Sequence, residues 1–112
     1  ALGFLSSLDI ISVFSNALDN ALEAVTALPK EEREIRMTVK KAIGTLSICV
    51  ENPYAAKLEI VNGIPATTKS DRRFHGMRSI QSTVEKYSGT MDIDTKEGRF
   101  KLMIMIPIPD VT

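Results

Sequence analysis

Apolar residues recur at helical spacing early in the chain and alternate with polar ones later. Phe14, Leu18, Ala21, Leu22 and Val25 fall on one stripe at about 100° per residue, which predicts a helix over 9–28 with that stripe turned inward. Pro29 stops it, and Lys30-Glu31-Glu32-Arg33-Glu34 reads as a solvated turn or helix extension. Ile35, Met37 and Val39 alternate with Arg36, Thr38 and Lys40, which predicts a strand over 35–42. Gly44 allows a turn, and the β-prone apolar run 45–50 predicts a buried central strand. Periodicity lapses over 51–76, where Pro53, Gly63, Pro65 and Gly76 stand. A short strand at 58–61 is expected to interrupt this stretch, and a loop that long in a small domain reads as a functional lid. Met77, Ile80, Val84 and Tyr87 predict a second helix over 77–87, closed by Gly89. Runs 90–95 and 99–106 then form a hairpin around Lys96-Glu97-Gly98. In the last run Met103 and Met105 are apolar on the face opposite Phe100, Leu102, Ile104 and Ile106, so that strand is expected to be central. The order of elements is α+β.

At 112 residues the chain has room for one domain, and 44% apolar residues suffice for a core. Fourteen basic and fourteen acidic residues give a formal net charge of zero. That speaks against a nucleic-acid binder and against a polybasic membrane-surface module. The apolar runs are only a few residues long, so no membrane insertion is expected. One cysteine and one histidine leave little scope for a zinc site. Cys49 reads as a small buried hydrophobe in a reducing, cytoplasmic setting. Ala1-Leu2-Gly3-Phe4 has neither an initiator Met nor the features of a signal peptide, so residues 1–112 read as a single domain cut from a longer protein.

The first helix carries Asn16, Asp19, Asn20 and Glu23 at i, i+3, i+4 and i+7, together and expected roughly opposite the apolar stripe. Asn is a poor mid-helix residue because its amide competes for backbone hydrogen bonds. Spacing alone allows a solvated face. It also allows amides that bind a ligand or a hydrated hard cation such as Mg²⁺, which takes amide oxygens and bridges to phosphates.

Ser15-Asn16-Ala17-Leu18-Asp19-Asn20-Ala21-Leu22-Glu23-Ala24 resembles the N box of the GHKL ATP-binding superfamily, which includes gyrase, MutL and the sensor histidine kinases. Further segments follow in the family's order. Glu51-Asn52-Pro53-Tyr54 stands where relatives read adenine. Pro65-Ala66-Thr67-Thr68-Lys69-Ser70-Asp71 looks like a lid segment. Phe74-His75-Gly76-Met77-Arg78-Ser79-Ile80 resembles the second glycine box, and Val84-Glu85-Lys86-Tyr87-Ser88-Gly89 the closing helix. The branch is similar to the peptide-sensing, quorum-type histidine kinases.

The resemblance implies a two-layer α/β sandwich, the Bergerat fold, with a mixed sheet of about five strands and helices on one face. Both the Phe14/Leu18/Val25 stripe and the Met77/Ile80/Val84 face are expected to pack on that sheet. It implies ATP and Mg²⁺ as ligands. Asn20 would hold the metal and Asn16 would face the phosphates, the two being the catalytic candidates. Asn52 would read adenine's amino group, Lys69 would contact a phosphate, and Thr67 and Thr68 would offer hydroxyls. His75 and Gly76 would lie beside the nucleotide, His75 not being the phosphoacceptor. Glu23 would have a weaker role, and Tyr54 either lines the adenine pocket or packs as an ordinary aromatic. The lid, 63–76, would be mobile without nucleotide. The partners implied are a histidine-bearing dimerisation domain of the parent kinase and, through the full-length kinase, a response regulator. The fragment would be cytoplasmic and its parent anchored in the cell membrane.

The sequence departs from the family pattern in two places. Asp-x-Gly-x-Gly is absent, and His75-Gly76 runs directly into Met77, two residues short of the usual box. Two functions therefore compete: a histidine-kinase catalytic domain, and a degenerate, non-catalytic GHKL fold acting as a regulatory or contact module.

Overall fold

Ser6 starts the first helix by accepting the Asp9 N–H on its hydroxyl oxygen at 3.1 Å. A computed structural model describes residues 5–54, 60–61, 64–65 and 75–109, of which 60–61, 64–65, 75 and 76 are described by backbone only. The elements are α1 (Ser7–Thr26), β1 (Arg36–Ala42), β2 (Thr45–Pro53), β3 (Ile60–Val61), β4 (Ile64–Pro65), α2 (His75–Lys86), β5 (Thr90–Asp94) and β6 (Arg99–Pro107). Short 3-10 turns follow α1 and join β5 to β6.

The main sheet has the order β1-β2-β6-β5, and β3 and β4 form a separate two-residue ladder. Four strands stand where about five were expected. Every pairing is antiparallel, whereas a mixed sheet was expected. The reason lies in the connections. β1–β2 and β5–β6 are hairpins. The one crossover, through α2 from β2 to β5, joins strands that run the same way, but β6 lies between them, so no parallel pair forms.

Period-two alternation in β2 and β6 buries Leu46, Ile48, Val50 and Asn52 opposite Ile106, Ile104, Leu102 and Phe100. The helices cover this face. Met77, Ile80 and Val84 of α2 are wholly buried on it, as the sequence predicts. Cys49 belongs to the opposite face and is only half-buried, which corrects its expected place in the core; even so, burial pushes its thiol pKa up.

In α1 the buried residues are Val13, Ala17, Asn20, Ala21 and Val25. Phe14 and Leu18 are half-buried, and Leu22 is exposed. The inward face is thus rotated from the predicted stripe, and Asn20 points into the protein instead of away from it. Alanines let the helix approach the sheet closely, which the bulkier Phe14 and Leu18 would prevent.

After α2, Ser88 adopts a left-handed φ of 61° and the Gly89 N–H returns to the Val84 carbonyl at 2.9 Å. A Cβ at Gly89 would lie 2.5 Å from the Met105 carbonyl oxygen and 2.9 Å from Val84 Cγ1. The turn into β5 is closed by direct backbone approach.

Candidate functional site

Lys86 and Tyr87 meet Asp9, and Thr83 borders the same cavity as Asp9, Ile10 and Val13, so α2 runs opposite to α1. From Asp9 to Asn20 and from Lys86 back to His75 is eleven residues each way, about 16 Å along each helix. The N-terminus of α2 therefore lies at the Asn20 end of α1. Leu46 and Ile48, early in β2, border the same cavity, so β2 runs its last residues, Val50 and Asn52, away from Asp9 and toward Asn20. Three features predicted from sequence share one end of the molecule: Asn20, Asn52 and the His75-Gly76 start of α2.

Asn20 is 5% exposed and Asn52 1% exposed. Among the described residues neither Oδ1 meets a hydrogen-bond donor. A buried acceptor left without a donor costs about 1–3 kcal/mol, so two at one end point to a site whose partner is a ligand. The Asn52 amide is oriented, because Nδ2 donates to the Pro53 carbonyl at 2.9 Å and leaves the buried Oδ1 as the free acceptor. The strand end beneath it is pinned on the sheet's other face, where Glu51 Oε1 accepts from Arg36 Nη1 and Arg99 Nη2, each at 3.2 Å. Asn16 is half-buried and donates through Nδ2 to Ser12 Oγ at 3.3 Å. Asp19 and Glu23 are exposed, in keeping with a solvated Glu23. Tyr54 donates to the Thr95 carbonyl at 2.7 Å and packs against the core, so it is an anchoring aromatic for the β5–β6 turn.

Among the described residues no three His, Cys, Asp or Glu converge as a metal cluster. An orphaned, buried amide oxygen is nonetheless a hard donor of the kind Mg²⁺ accepts when waters and phosphates complete its shell. Asn20 fits that role. Thr67, Thr68, Lys69 and most of the lid lie outside the described residues. His75 and Gly76 form the first two positions of α2, so the helix starts within the glycine box and two residues earlier than predicted.

One cluster escaped the sequence reading. Asp9 accepts from the Tyr87 hydroxyl in a short contact and from Lys86 Nζ at 2.9 Å, while the Ser6 N–H donates to the same Tyr87 oxygen at 3.2 Å. The spacing Ser6-x-x-Asp9, a cap followed by an acid, was its available signal. The Tyr87 bond, then Lys86, lowers the Asp9 pKa from 3.8 to about 2, and Asp9 in turn raises that of Lys86. A carboxyl depressed in the folded state stabilises it above the unfolded pKa and loses that effect as pH falls through the folded one. Wild-type stability is therefore expected to drop between pH 3.8 and about 2, and Asp9→Asn to flatten that drop, read from urea midpoints across the range. Equal slopes for the two proteins would rule the cluster out as a pH-linked latch.

No curated protein matches the chain in sequence. Solved histidine kinases match it in structure. Histidine kinase AdeS of Acinetobacter baumannii superposes with a TM-score of 0.64 at 13% identity, over 91% of this chain and 47% of that one. The nucleotide-free catalytic domain of histidine kinase ThkA gives TM-scores of 0.64 and 0.67 in two crystal forms at 19% identity, over 91% of this chain and 68–69% of those. The chain thus spans about half the length of the AdeS chain. At these identities the likeness establishes the fold, a two-layer α+β sandwich shared with histidine-kinase catalytic domains. A family model described as a GHKL domain matches residues 5–107, and the chain belongs to the GHKL family.

Proposed function

We propose that this domain binds ATP with Mg²⁺ and presents the γ-phosphate to a histidine on a separate dimerisation domain of a two-component sensor kinase. The observation that carries the reading is the buried, unpartnered Oδ1 of Asn20 at the end of the molecule where α2 begins. Asn20 would hold the cation, which neutralises phosphate charge when bound. The first turn of α2 brings unpaired backbone N–H groups toward the phosphates. Asn52 would accept a hydrogen bond from adenine's amino group. By the family resemblance Lys69, Thr67 and Thr68 would complete the phosphate contacts, with Asn16 facing them.

The reaction favoured is transfer and not hydrolysis. A hydrolase needs a carboxylate one turn before the metal-binding Asn to take a proton from water. That position is Asn16, whose amide cannot accept one at neutral pH and whose Nδ2 is engaged with Ser12. A neutral imidazole attacks through its own lone pair and needs no strong base. The isolated chain is expected to bind ATP only with Mg²⁺, to hydrolyse it very slowly, and not to phosphorylate itself. Adding a protein that carries the histidine-bearing helices should give acid-labile phosphohistidine. Rapid turnover by the chain alone would overturn the transfer reading. Absence of Mg²⁺-dependent binding, read by calorimetric titration, would favour a non-catalytic GHKL module, the reading that the shortened glycine box supports.

A further inference from the structure

The sheet narrows at Glu51. β2 is paired on both sides as far as Glu51, which stands opposite Arg36, the first residue of β1. Asn52 and Pro53 are paired on one side only, with Phe100 and Arg99 of β6. Pro53 has no N–H to give to a ladder. The Asn52 amide is tied to this half-supported backbone, since its Nδ2 donates to the Pro53 carbonyl at 2.9 Å. Where its Oδ1 lies therefore depends on how the strand end is held.

Charged side chains hold it from the outer face of the sheet. Glu51 Oε1 lies 3.2 Å from Arg36 Nη1 and 3.2 Å from Arg99 Nη2. Glu34 Oε1 lies 3.5 Å from Arg36 Nη2 and 3.0 Å from Arg99 Nη2. The four charges alternate in sign and close into a ring across β1, β2 and β6. Lys101 Nζ stands 3.7 Å from the other Glu51 oxygen. An isolated exposed pair holds little, but a network with shared acceptors holds more. The Glu51 side chain is only 13% exposed, so salt screens it less than an ordinary surface carboxylate. Just beyond the ring, the Tyr54 N–H donates to the Gly98 carbonyl at 3.0 Å. Asn52 is thus held between two fixed points. Among the described residues, every ion pair that involves the sheet is at this end. It is also the end that carries the buried, unpartnered Oδ1 of Asn52.

We propose that Glu51, held by Arg36, Arg99 and Glu34, is a positioning residue for base reading. It fixes the end of β2, aims Asn52 Oδ1 and so sets the preference for adenine. Side chains 51 and 52 point to opposite faces of the sheet, so Glu51 acts through the backbone and not by touching the nucleotide. This role rests on the ATP-binding reading above.

The test compares ATP with inosine triphosphate, each with Mg²⁺, by calorimetric titration of the full 112-residue chain. Inosine carries an oxygen where adenine carries its amino group. The triphosphate is the same, so the ratio of the two Kd values cancels the phosphate and metal contributions. The wild type is expected to prefer ATP at least about 10-fold. Glu51→Gln and Arg36→Gln should each lower that preference at least about 3-fold, through weaker ATP binding. The Arg36 side chain is 64% exposed, so its variant keeps the test open should Glu51→Gln unfold the chain. Added salt should erode the wild-type preference, and that of Glu51→Gln less, because screening acts on the ring. A merely structural role would weaken both nucleotides alike and leave the ratio unchanged. A wild type that prefers ATP, with the preference intact in both variants, would overturn the positioning role and leave the nucleotide site standing. A wild type that binds neither nucleotide, or both alike, would overturn the base reading itself and the role with it.

Discussion

Asn20→Ala is expected to abolish Mg²⁺-dependent ATP binding and at the same time to make the folded domain more stable. The two effects have one origin. The Asn20 oxygen is buried without a donor among the described residues, so the apo protein carries its desolvation cost of about 1–3 kcal/mol. Alanine removes the stranded acceptor and is the best helix former. It also removes the only side-chain atom assigned to the cation, and losing a hard ligand from a site with few protein ligands should weaken nucleotide binding at least about 100-fold, equivalent to ~3 kcal/mol. Thermal denaturation and nucleotide titration on the same preparation decide the matter. A variant that melts earlier and binds as before would make Asn20 a structural residue and remove the main support for the proposed site.

Gly89→Ala should have the largest effect on folding. Its new Cβ would stand 2.5 Å from a backbone carbonyl oxygen of β6, which cannot swing aside as a side chain does. Either the α2–β5 turn or the β5–β6 pairing must move, and both hold the core face of the sheet. Overpacking of this kind costs about 2–4 kcal/mol, or roughly 10–20 °C in Tm for a domain of this size. Gly44→Ala is the control. Its φ of +78° also suits glycine, but nothing lies within 4 Å of its Cβ. Its cost should stay near 1 kcal/mol, the strain of a left-handed residue alone. Equal losses at the two positions would mean that the Gly89 contact relaxes freely.

Sequence alone reaches the strands more surely than the first helix, and the difference is physical. In β2 and β6 side-chain direction has period two, so one buried residue fixes all the others. Leu46, Ile48 and Val50 already place Asn52 on the core face, although an amide there reads at first as a loop residue. A helix is less constrained. The predicted α1 stripe, Phe14, Leu18, Ala21, Leu22 and Val25, lies about 80° around the 100°-per-residue wheel from the face that is buried. Hydropathy ranks Phe and Leu above Ala, whereas contact with both a sheet and a second helix rewards the small Ala17. The same shift hid the burial of Asn20, since polar residues are expected outside. The N box was nonetheless recognisable from its residue order, and it named the two asparagines whose environment composition could not supply. The expected fifth strand fell in 55–76, where only the short β3 and β4 are described.

An amide does not titrate, so the base-reading contact proposed for Asn52 is indifferent to protonation of the protein, and the hydrogen bond to the Pro53 carbonyl fixes which atom makes it. A carboxylate in that place would lose its charge on protonation and accept more weakly, so its affinity for the base would follow its own titration. The Asn52 amide has no proton to gain in the physiological range, and its rotation is checked because turning it would set two oxygens face to face. Selection between a 6-amino and a 6-oxo purine would then be a matter of lone-pair geometry, with no titration of the protein group that reads it.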